Sequence, residues 1–476
     1  MPTPLERDRE TQWSALALGL VTVGAALLRL VALGAEELWF DEIFSAVLAS
    51  QEPAELLRRA LADKTNPPGF YLALWIWTRI GGFEVEWMRL LPAIAGIALV
   101  PAIAWLARTL GMSRGAALLS ALLAAVSPLM LAMSVELRAY SLLALATVLA
   151  LGAAVLVARG DGRRTAIVAL LGADLALVSL HYFGVLIVAV TIVGIIWTGR
   201  GPVRDRVTLA VGAALPALGT LTLWILWVFV AAGRAPVSSN AAWVPSLDHG
   251  AVTSFASQVV GSFGTTWGAW FLVAALGAAI TRTAHSAFAP ADRAERTRAR
   301  WLLAAACLPI LLVLAGMVTM QRSLWVARYL IIVLPGCWLL LTDASFGARE
   351  RLRIPVVAAL AAWAAFAGPL AEASRTQKPG WSLLVRSLAR EATVCVNEPF
   401  VRLPLEYHAL ASGVPLGVRM IADCAQSRSG DYALVRPGTE ASLAPLGAAG
   451  AVLGAARPLH TRLPDLELSR LEWTPR

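Results

Sequence analysis

The chain has 476 residues, of which 58% are hydrophobic and 15% charged, and its formal net charge is +9. A soluble domain this apolar would aggregate, so the bilayer must take the place of the usual buried core. Apolar stretches of about 20 residues, the length that crosses the hydrocarbon region as a helix, recur roughly eleven times between Ser14 and Leu370. Lipid cannot satisfy stray backbone N–H and C=O groups, and a barrel would alternate polarity along each strand. The pattern therefore predicts a polytopic α-helical membrane protein.

A pI near 10 would also suit a nucleic-acid binder. The placement of the arginines argues otherwise. Arg108 and Arg114, Arg159, Arg163 and Arg164, Arg200, Arg204 and Arg206, the run Arg293 to Arg300, and Arg349 to Arg353 fall in every second gap between apolar spans. That is the positive-inside pattern, which puts those gaps in the cytoplasm. No basic segment carries the interleaved aromatic residues that stack on bases.

In chain order, the charged stretch Met1 to Gln12 leads into an apolar run from Trp13 to Gly34. It reads as a signal anchor with a cytoplasmic N-terminus, because no small-residue cleavage site precedes Glu36 and Glu37. After this first span, near 13–33, an outer segment from Ala35 to Glu86 is too polar to cross. Its amphipathic runs Ile43–Ala49, Ala54–Ala62 and Phe70–Ile80 suit helices lying on the membrane surface. Further spans are expected near 87–107, 115–134, 141–158, 166–181, 183–198, 207–231, 264–281, 301–319, 328–343 and 354–371. A wet outer loop is expected around Arg234 to Gly250.

Eleven spans from a cytoplasmic start leave the C-terminus outside. From Ala373 the texture changes: Trp381–Arg390 has helical spacing, Thr393–Asn397 and Tyr432–Arg436 read as strands, and Gly and Pro punctuate the rest. Two domains are expected, a membrane domain over 1–372 and a small α/β extracytoplasmic domain over 373–476. Cys395 and Cys424 lie in the second, where a disulfide could persist, whereas Cys307 and Cys337 lie inside apolar spans as small hydrophobes.

Signatures of soluble enzymes are missing: there is no phosphate loop, dinucleotide fingerprint, zinc-protease motif or Asp-x-Asp motif. The string Gly111-Met112-Ser113-Arg114-Gly115 matches a hydrolase elbow in letters only, since it sits in a short gap between spans. What remains is a set of polar clusters at the outer ends of the spans. Trp39-Phe40-Asp41-Glu42 holds adjacent carboxylates at the interface, where Asp41 or Glu42 could act as a general base or merely cap the following helix. Asp63-Lys64-Thr65-Asn66-Pro67-Pro68-Gly69-Phe70-Tyr71 offers Lys64 and Asn66 as donors to a phosphate or sugar at a rigid turn.

Glu136, Arg138 and Tyr140 follow Ser127-Pro128, either as a structural ion pair or as a cationic clamp. His181-Tyr182-Phe183 marks another outer turn, and Arg322 and Arg328-Tyr329 lead into the tenth span. A guanidinium presents a fork of donors to phosphate oxygens, which favours Arg328 for that work. All these clusters fall on one face of the membrane. Their convergence implies a substrate with an anionic head and a greasy tail, handled outside.

The ordered set resembles the GT-C-fold, polyprenyl-phosphate-dependent glycosyltransferases, a superfamily that includes protein O-mannosyltransferases and the lipid A aminoarabinose transferase. The residues that carry the resemblance are Asp41-Glu42, Asn66-Pro67-Pro68-Gly69-Phe70-Tyr71, and Arg89-Leu90-Leu91-Pro92-Ala93 with Gly96. Ser127-Pro128, Glu136-Leu137-Arg138-Ala139-Tyr140, His181-Tyr182-Phe183, and Arg328-Tyr329-Leu330 with Pro335 complete it. The resemblance implies a GT-C-like bundle, a polyprenyl-phosphate sugar donor, and inverting transfer to a glycan, lipid or protein acceptor. Asp41 matches the family's acidic residue in the first outer loop, as the base or as a ligand of Mg or Mn where members use a divalent cation. Lys64, Arg138 and Arg328 would hold the donor phosphate, and Asn66, Tyr71, Glu136, Tyr140, His181 and Tyr182 would line the substrate site.

Two other classes fit a polytopic bundle. A transporter or flippase of a lipid-linked sugar would place charges near the midplane, often in repeated halves, yet no repeat is found and Asp174 is the sole acidic residue deep in a span. A scaffold presenting the C-terminal domain would not need a polar first loop.

Overall fold

The computed structural model describes residues 4–63, 66–231, 247–260, 266–288, 292–321, 323–347, 380–397, 399–427, 430–435, 443–453, 457–458 and 467–473. By internal contacts the chain forms two compact units: Met1–Leu33 with Leu48–Arg375, and Gly34–Val47 with Thr376–Arg476. The segment Gly34–Val47 groups with the C-terminal unit rather than with the bundle.

The first unit is a helical bundle. Its helices are α1 (Pro4–Leu30), α3 (Pro53–Asp63), α4 (Gly69–Gly81), α5 (Val85–Thr109), α6 (Arg114–Val126), α7 (Pro128–Ser134), α8 (Tyr140–Arg159), α9 (Arg163–Leu180), α10 (Gly184–Thr198), α11 (Val203–Ala231), α12 (His249–Val260), α13 (Thr266–Phe288), α14 (Arg293–Met320) and α15 (Leu334–Phe346). Helix α2 (Phe40–Ala49) straddles the division. Among the described residues six helices are long and apolar enough to cross a membrane, or seven if α6 and α7 count as one bent span. Helices stand at ten of the eleven expected positions, and 354–371 lies outside the described residues. Apolar side chains such as Leu20, Val31, Phe229 and Val230 are exposed, as suits a surface solvated by acyl chains.

Two expectations change in detail. The span expected at 115–134 is not continuous: α6 and α7 meet at an angle of 57°. Pro128 has no N–H to return to the carbonyl of Ala124, and so the helix breaks there. The span expected at 328–343 begins with a 3-10 turn, Tyr329–Val333, before α15, where Pro335 occupies a first-turn position that needs no donor. Helix α12 occupies a stretch where no helix was expected.

Breaking a helix inside a bilayer leaves carbonyls that only protein can satisfy. Arg29, at the end of α1 and 0% exposed, does so: its Nη1 donates to Ala125 O (3.0 Å) and its Nη2 reaches Ala124 O (3.5 Å). The guanidinium also meets the negative end of the α6 dipole. Gly96 makes room for this arrangement, since a Cβ there would lie 2.1 Å from Ser134 Oγ and 2.9 Å from Arg29 Nε. Nearby, buried Arg89 donates to Leu33 O (2.8 Å) and fixes the start of α5 against the exit of α1. The α4–α5 corner is latched by the stacked Trp77 and Trp87 (4.6 Å), whose indole N–H groups each donate to the other residue's carbonyl.

The second unit contains a mixed sheet in the order β2-β1-β3-β6-β4, with β5 also paired to β6. The strands are β1 (Thr393–Val396), β2 (Gly417–Met420), β3 (Tyr432–Val435), β4 (Ala451–Leu453), β5 (Arg457–Pro458) and β6 (Glu467–Trp473). β1 pairs in parallel with β2 and β3, while β6 runs antiparallel to its partners. Helix Pro399–Ala411 makes the crossover from β1 to β2, and Val394, Val396, Val401, Leu405 and Leu434 bury a core between them. Cys395 and Cys424 form a disulfide, which the sequence allowed without requiring, and Cys307 and Cys337 are free.

Arg29→Met should remove both contacts to the α6 carbonyls and destabilise the bundle by about 2–3 kcal/mol. Thermal unfolding of the full chain in detergent measures this. Gly172→Ala, whose added Cβ meets nothing within 4 Å, should leave the midpoint unchanged.

Candidate active site

The break at Pro128 decides where the polar residues of the bundle go. After α7 a short turn, 135–139, carries Glu136 and Arg138 into α8, whose first residue is Tyr140. All three are buried, and Ser141 Oγ donates to Pro92 O (2.8 Å), tying this end of α8 to α5. From the other side Gly69 opens α4. A Cβ there would sit 2.4 Å from Ser179 O, so only glycine lets α4 start this close to the end of α9. Tyr71 is thereby placed so that Arg138 Nη1 donates to its hydroxyl at 3.3 Å.

His181 follows α9 at the turn into α10 and is 2% exposed. Its Nδ1 accepts from the backbone N–H of Phe183 (3.1 Å), which assigns the ring proton to Nε2. The ring lies among aromatics: Tyr329 at 4.7 Å, Phe183 at 5.5 Å and Tyr140 at 6.1 Å between centroids. With Nδ1 accepting, His181 is a neutral ring that presents an N–H from Nε2. Arg328, half-buried, lies beside the ring of Tyr329 at 5.8 Å.

Three buried polar atoms in this cluster have no hydrogen-bond partner among the described residues: Tyr140 Oη, His181 Nε2 and Asn66 Nδ2. Buried polar groups are nearly always paired, so a set of three beside two guanidiniums calls for an explanation such as a bound water, ion or ligand. Asn66, Phe70, Tyr71, Arg138, Tyr140 and Leu180 enclose a space of about 10 Å³. That is room for a single water, and any larger group requires these side chains to move.

The expected residues thus divide. Asn66, Tyr71, Arg138 and Tyr140 line one space, and His181 joins them through its ring contact with Tyr140 and the charge of Arg138. Arg328 joins through its charge on His181, and Glu136 and half-buried Tyr182 lie in the adjoining turns. Lys64 and Arg322 lie outside the described residues. Phe183 and Tyr329, which only completed motifs in the sequence, build the wall around His181. Their signal was the run of aromatic residues next to a histidine and an arginine.

Asp41 and Glu42 belong to the other unit. They stand in the first turn of α2, as the capping alternative anticipated. Glu42 is 0% exposed, and its carboxylate accepts from the N–H of Trp39 at 3.4 Å, the reach-back half of a capping box. Asp41 is half-buried, and Ser45 Oγ donates to its backbone carbonyl. The segment is held by its own unit: Ser382 donates its N–H and hydroxyl to Glu37, and His408 Nε2 lies 3.1 Å from Leu38 O. Among the described residues no three His, Cys, Asp or Glu side chains gather in one place.

A membrane bundle with amphipathic helices in its first loop and an α/β unit after its last span is a GT-C fold. Its solved counterparts include ArnT from Cupriavidus metallidurans, which aligns in the apo state with a TM-score of 0.59 over 97% of this chain and 98% of its own, at 15% identity. The same protein bound to undecaprenyl phosphate gives 0.57. The archaeal oligosaccharyltransferase AglB from Archaeoglobus fulgidus, in complex with an inhibitory peptide and a dolichol-phosphate, gives 0.54 at 13% identity, over 93% of this chain and 73% of that one. The mycobacterial arabinofuranosyltransferase AftD gives 0.54 at 16% identity, over 97% of this chain and 41% of that one. No family model and no curated protein sequence matches. The likeness lies in the architecture.

Proposed function

We propose that this chain is an integral membrane glycosyltransferase that takes a sugar from a polyprenyl-phosphate carrier at the outer face of the membrane. The observation that carries the reading is the set of unpartnered buried donors, Tyr140 Oη, His181 Nε2 and Asn66 Nδ2, beside Arg138 and Arg328. It occurs in a fold shared with ArnT, which binds undecaprenyl phosphate in one solved form, and with AglB, which holds a dolichol-phosphate in another. The reading includes eleven spans, a cytoplasmic N-terminus, an extracytoplasmic C-terminal domain and residence in the plasma membrane, as the arginine pattern favours.

In the proposed reaction the acceptor hydroxyl loses its proton to Asp41 as its oxygen bonds to the anomeric carbon. The bond from that carbon to the phosphate oxygen breaks on the opposite side, its electron pair leaves with the polyprenyl phosphate, and the configuration inverts. The leaving group gains negative charge. Arg138 and Arg328 are fixed cations in a partly dry site and stabilise it without reorganising. Neutral His181 and Tyr140 donate to the phosphate or the sugar without adding a charge that would trap the product. No nucleotide takes part. Glu42, engaged at the helix cap, keeps α2 in place rather than moving protons.

Asp41→Asn should lower transfer by a factor of about 10²–10⁴ while expression and melting stay at wild-type values. Glu42→Ala should do the reverse, lowering the melting midpoint with turnover largely kept. Both are read in membranes given a panel of radiolabelled polyprenyl-phosphate sugars. Full activity of the Asp41 variant would remove that residue from the mechanism. Movement of the carrier between leaflets with no turnover of any donor would favour a transporter.

A further inference from the structure

A cavity elsewhere in the bundle has no part in this chemistry. It measures about 420 Å³ and lies toward the other end of α5: Ser141, next to Tyr140, bonds Pro92 in the first half of that helix, whereas Arg108, in its last turn, lines the cavity. Three guanidiniums from three helices converge on it, Arg108 of α5, Arg282 of α13 and Arg298 of α14. The turn 111–113, where Ser113 caps α6 by accepting from Ala116 N (3.2 Å), closes one side and adds the positive end of a helix dipole.

Two carboxylates also line the space, and both are engaged. Asp343 Oδ1 lies 3.1 Å from Arg298 Nε, and Glu295 Oε1 accepts from Ser286 Oγ at 2.9 Å. Arg298 also donates to Gly111 O (3.3 Å). Arg108 and Arg282 differ. Each donates to a neutral carbonyl at the rim, of Met112 and of Gly347 respectively, and neither makes an ion pair among the described residues. A guanidinium carries five N–H donors, so both retain donors for an anion.

Basic residues at this end of a membrane bundle usually reach outward to headgroups. Here Arg108 and Arg282, although exposed, also line a space large enough for a small ligand. Tetrahedral, multiply accepting and anionic, a phosphate matches two guanidinium forks and a helix N-terminus better than a carboxylate does. We infer that this cavity binds a phosphate group, drawn from an anionic lipid headgroup or from a soluble phosphate ester, and that the bound phosphate ties α5 to α13. Basic pockets between membrane helices are suited to headgroups in this way. The inference stands independently of the transferase reading.

The full chain is tested in two arms, each reading the melting midpoint as the probe is titrated. In one, nanodiscs of phosphatidylcholine carry increasing phosphatidylglycerol; in the other, pure phosphatidylcholine nanodiscs receive glycerol phosphate in solution. A rise in the first arm alone identifies a lipid phosphate, and a rise in the second identifies the soluble ester; either supports the site. The Arg108→Gln/Arg282→Gln pair should weaken the response at least tenfold. Asp343→Asn, which removes a competing negative charge, should strengthen it, and this arm holds even if the arginine pair folds poorly. No response to either probe would overturn the inference. So would an equal response of wild type, the arginine pair and the Asp343 variant, because that is general surface electrostatics.

Discussion

The bundle depends on how a chain can interrupt a helix where no water is at hand. Pro128 ends the ladder, and the freed carbonyls of Ala124 and Ala125 would be costly in a dry environment had Arg29 not arrived from α1 to meet them. A buried guanidinium is itself expensive, and three carbonyls, those of Ala25, Ala124 and Ala125, compensate it. Everything downstream follows from that exchange. The chain leaves α6 at an angle, α7 ends at Ser134, and the next turn delivers Arg138 and Tyr140 to the same place as Tyr71 and His181.

The electrostatics of that place are lopsided. Two arginines stand near a histidine whose accepting Nδ1 marks it as uncharged, so the local field is set by guanidiniums that hold their protons at every physiological pH. Such a field answers to an anion that comes and goes, and little to acidity. The tight packing around it says the same from another side: with room for only a water, the donors reach a larger guest only as the surrounding side chains part.

Much of the architecture was legible in the sequence because lipid enforces a simple rule, that long apolar runs must be helices. Surface helices α2, α3 and α4 were readable from their amphipathic runs, and β1 and β3 from short β-branched stretches between turns. The bend at Pro128 was not, since hydropathy is blind to a missing N–H within an apolar run. Nor were β2, β4, β5 and β6, which are short and take their pairing from partners distant in sequence. Among site residues Arg138, Tyr140 and His181 announced themselves as polar groups at membrane depth. Phe183 and Tyr329 did not, because an aromatic ring at an interface is ordinary until a histidine is found against it. Glu42 shows the opposite limit. Two adjacent carboxylates look alike in a sequence, and it takes the fold to show that Glu42 is fully buried and accepts from Trp39 while Asp41 is half-buried.

The segment bearing Asp41 also has a history in time. Its anchors, Ser382 and His408, lie 345 and 370 residues further along the chain than the Glu37 and Leu38 they hold. At ribosomal speeds of about 5–20 residues per second, that separation is on the order of 20–70 s. The helices from α3 to α15 are made within that interval, before Ser382 and His408 exist to hold Glu37 and Leu38. These two anchors of the Asp41 segment therefore come late, although the segment itself is among the first parts to be synthesised.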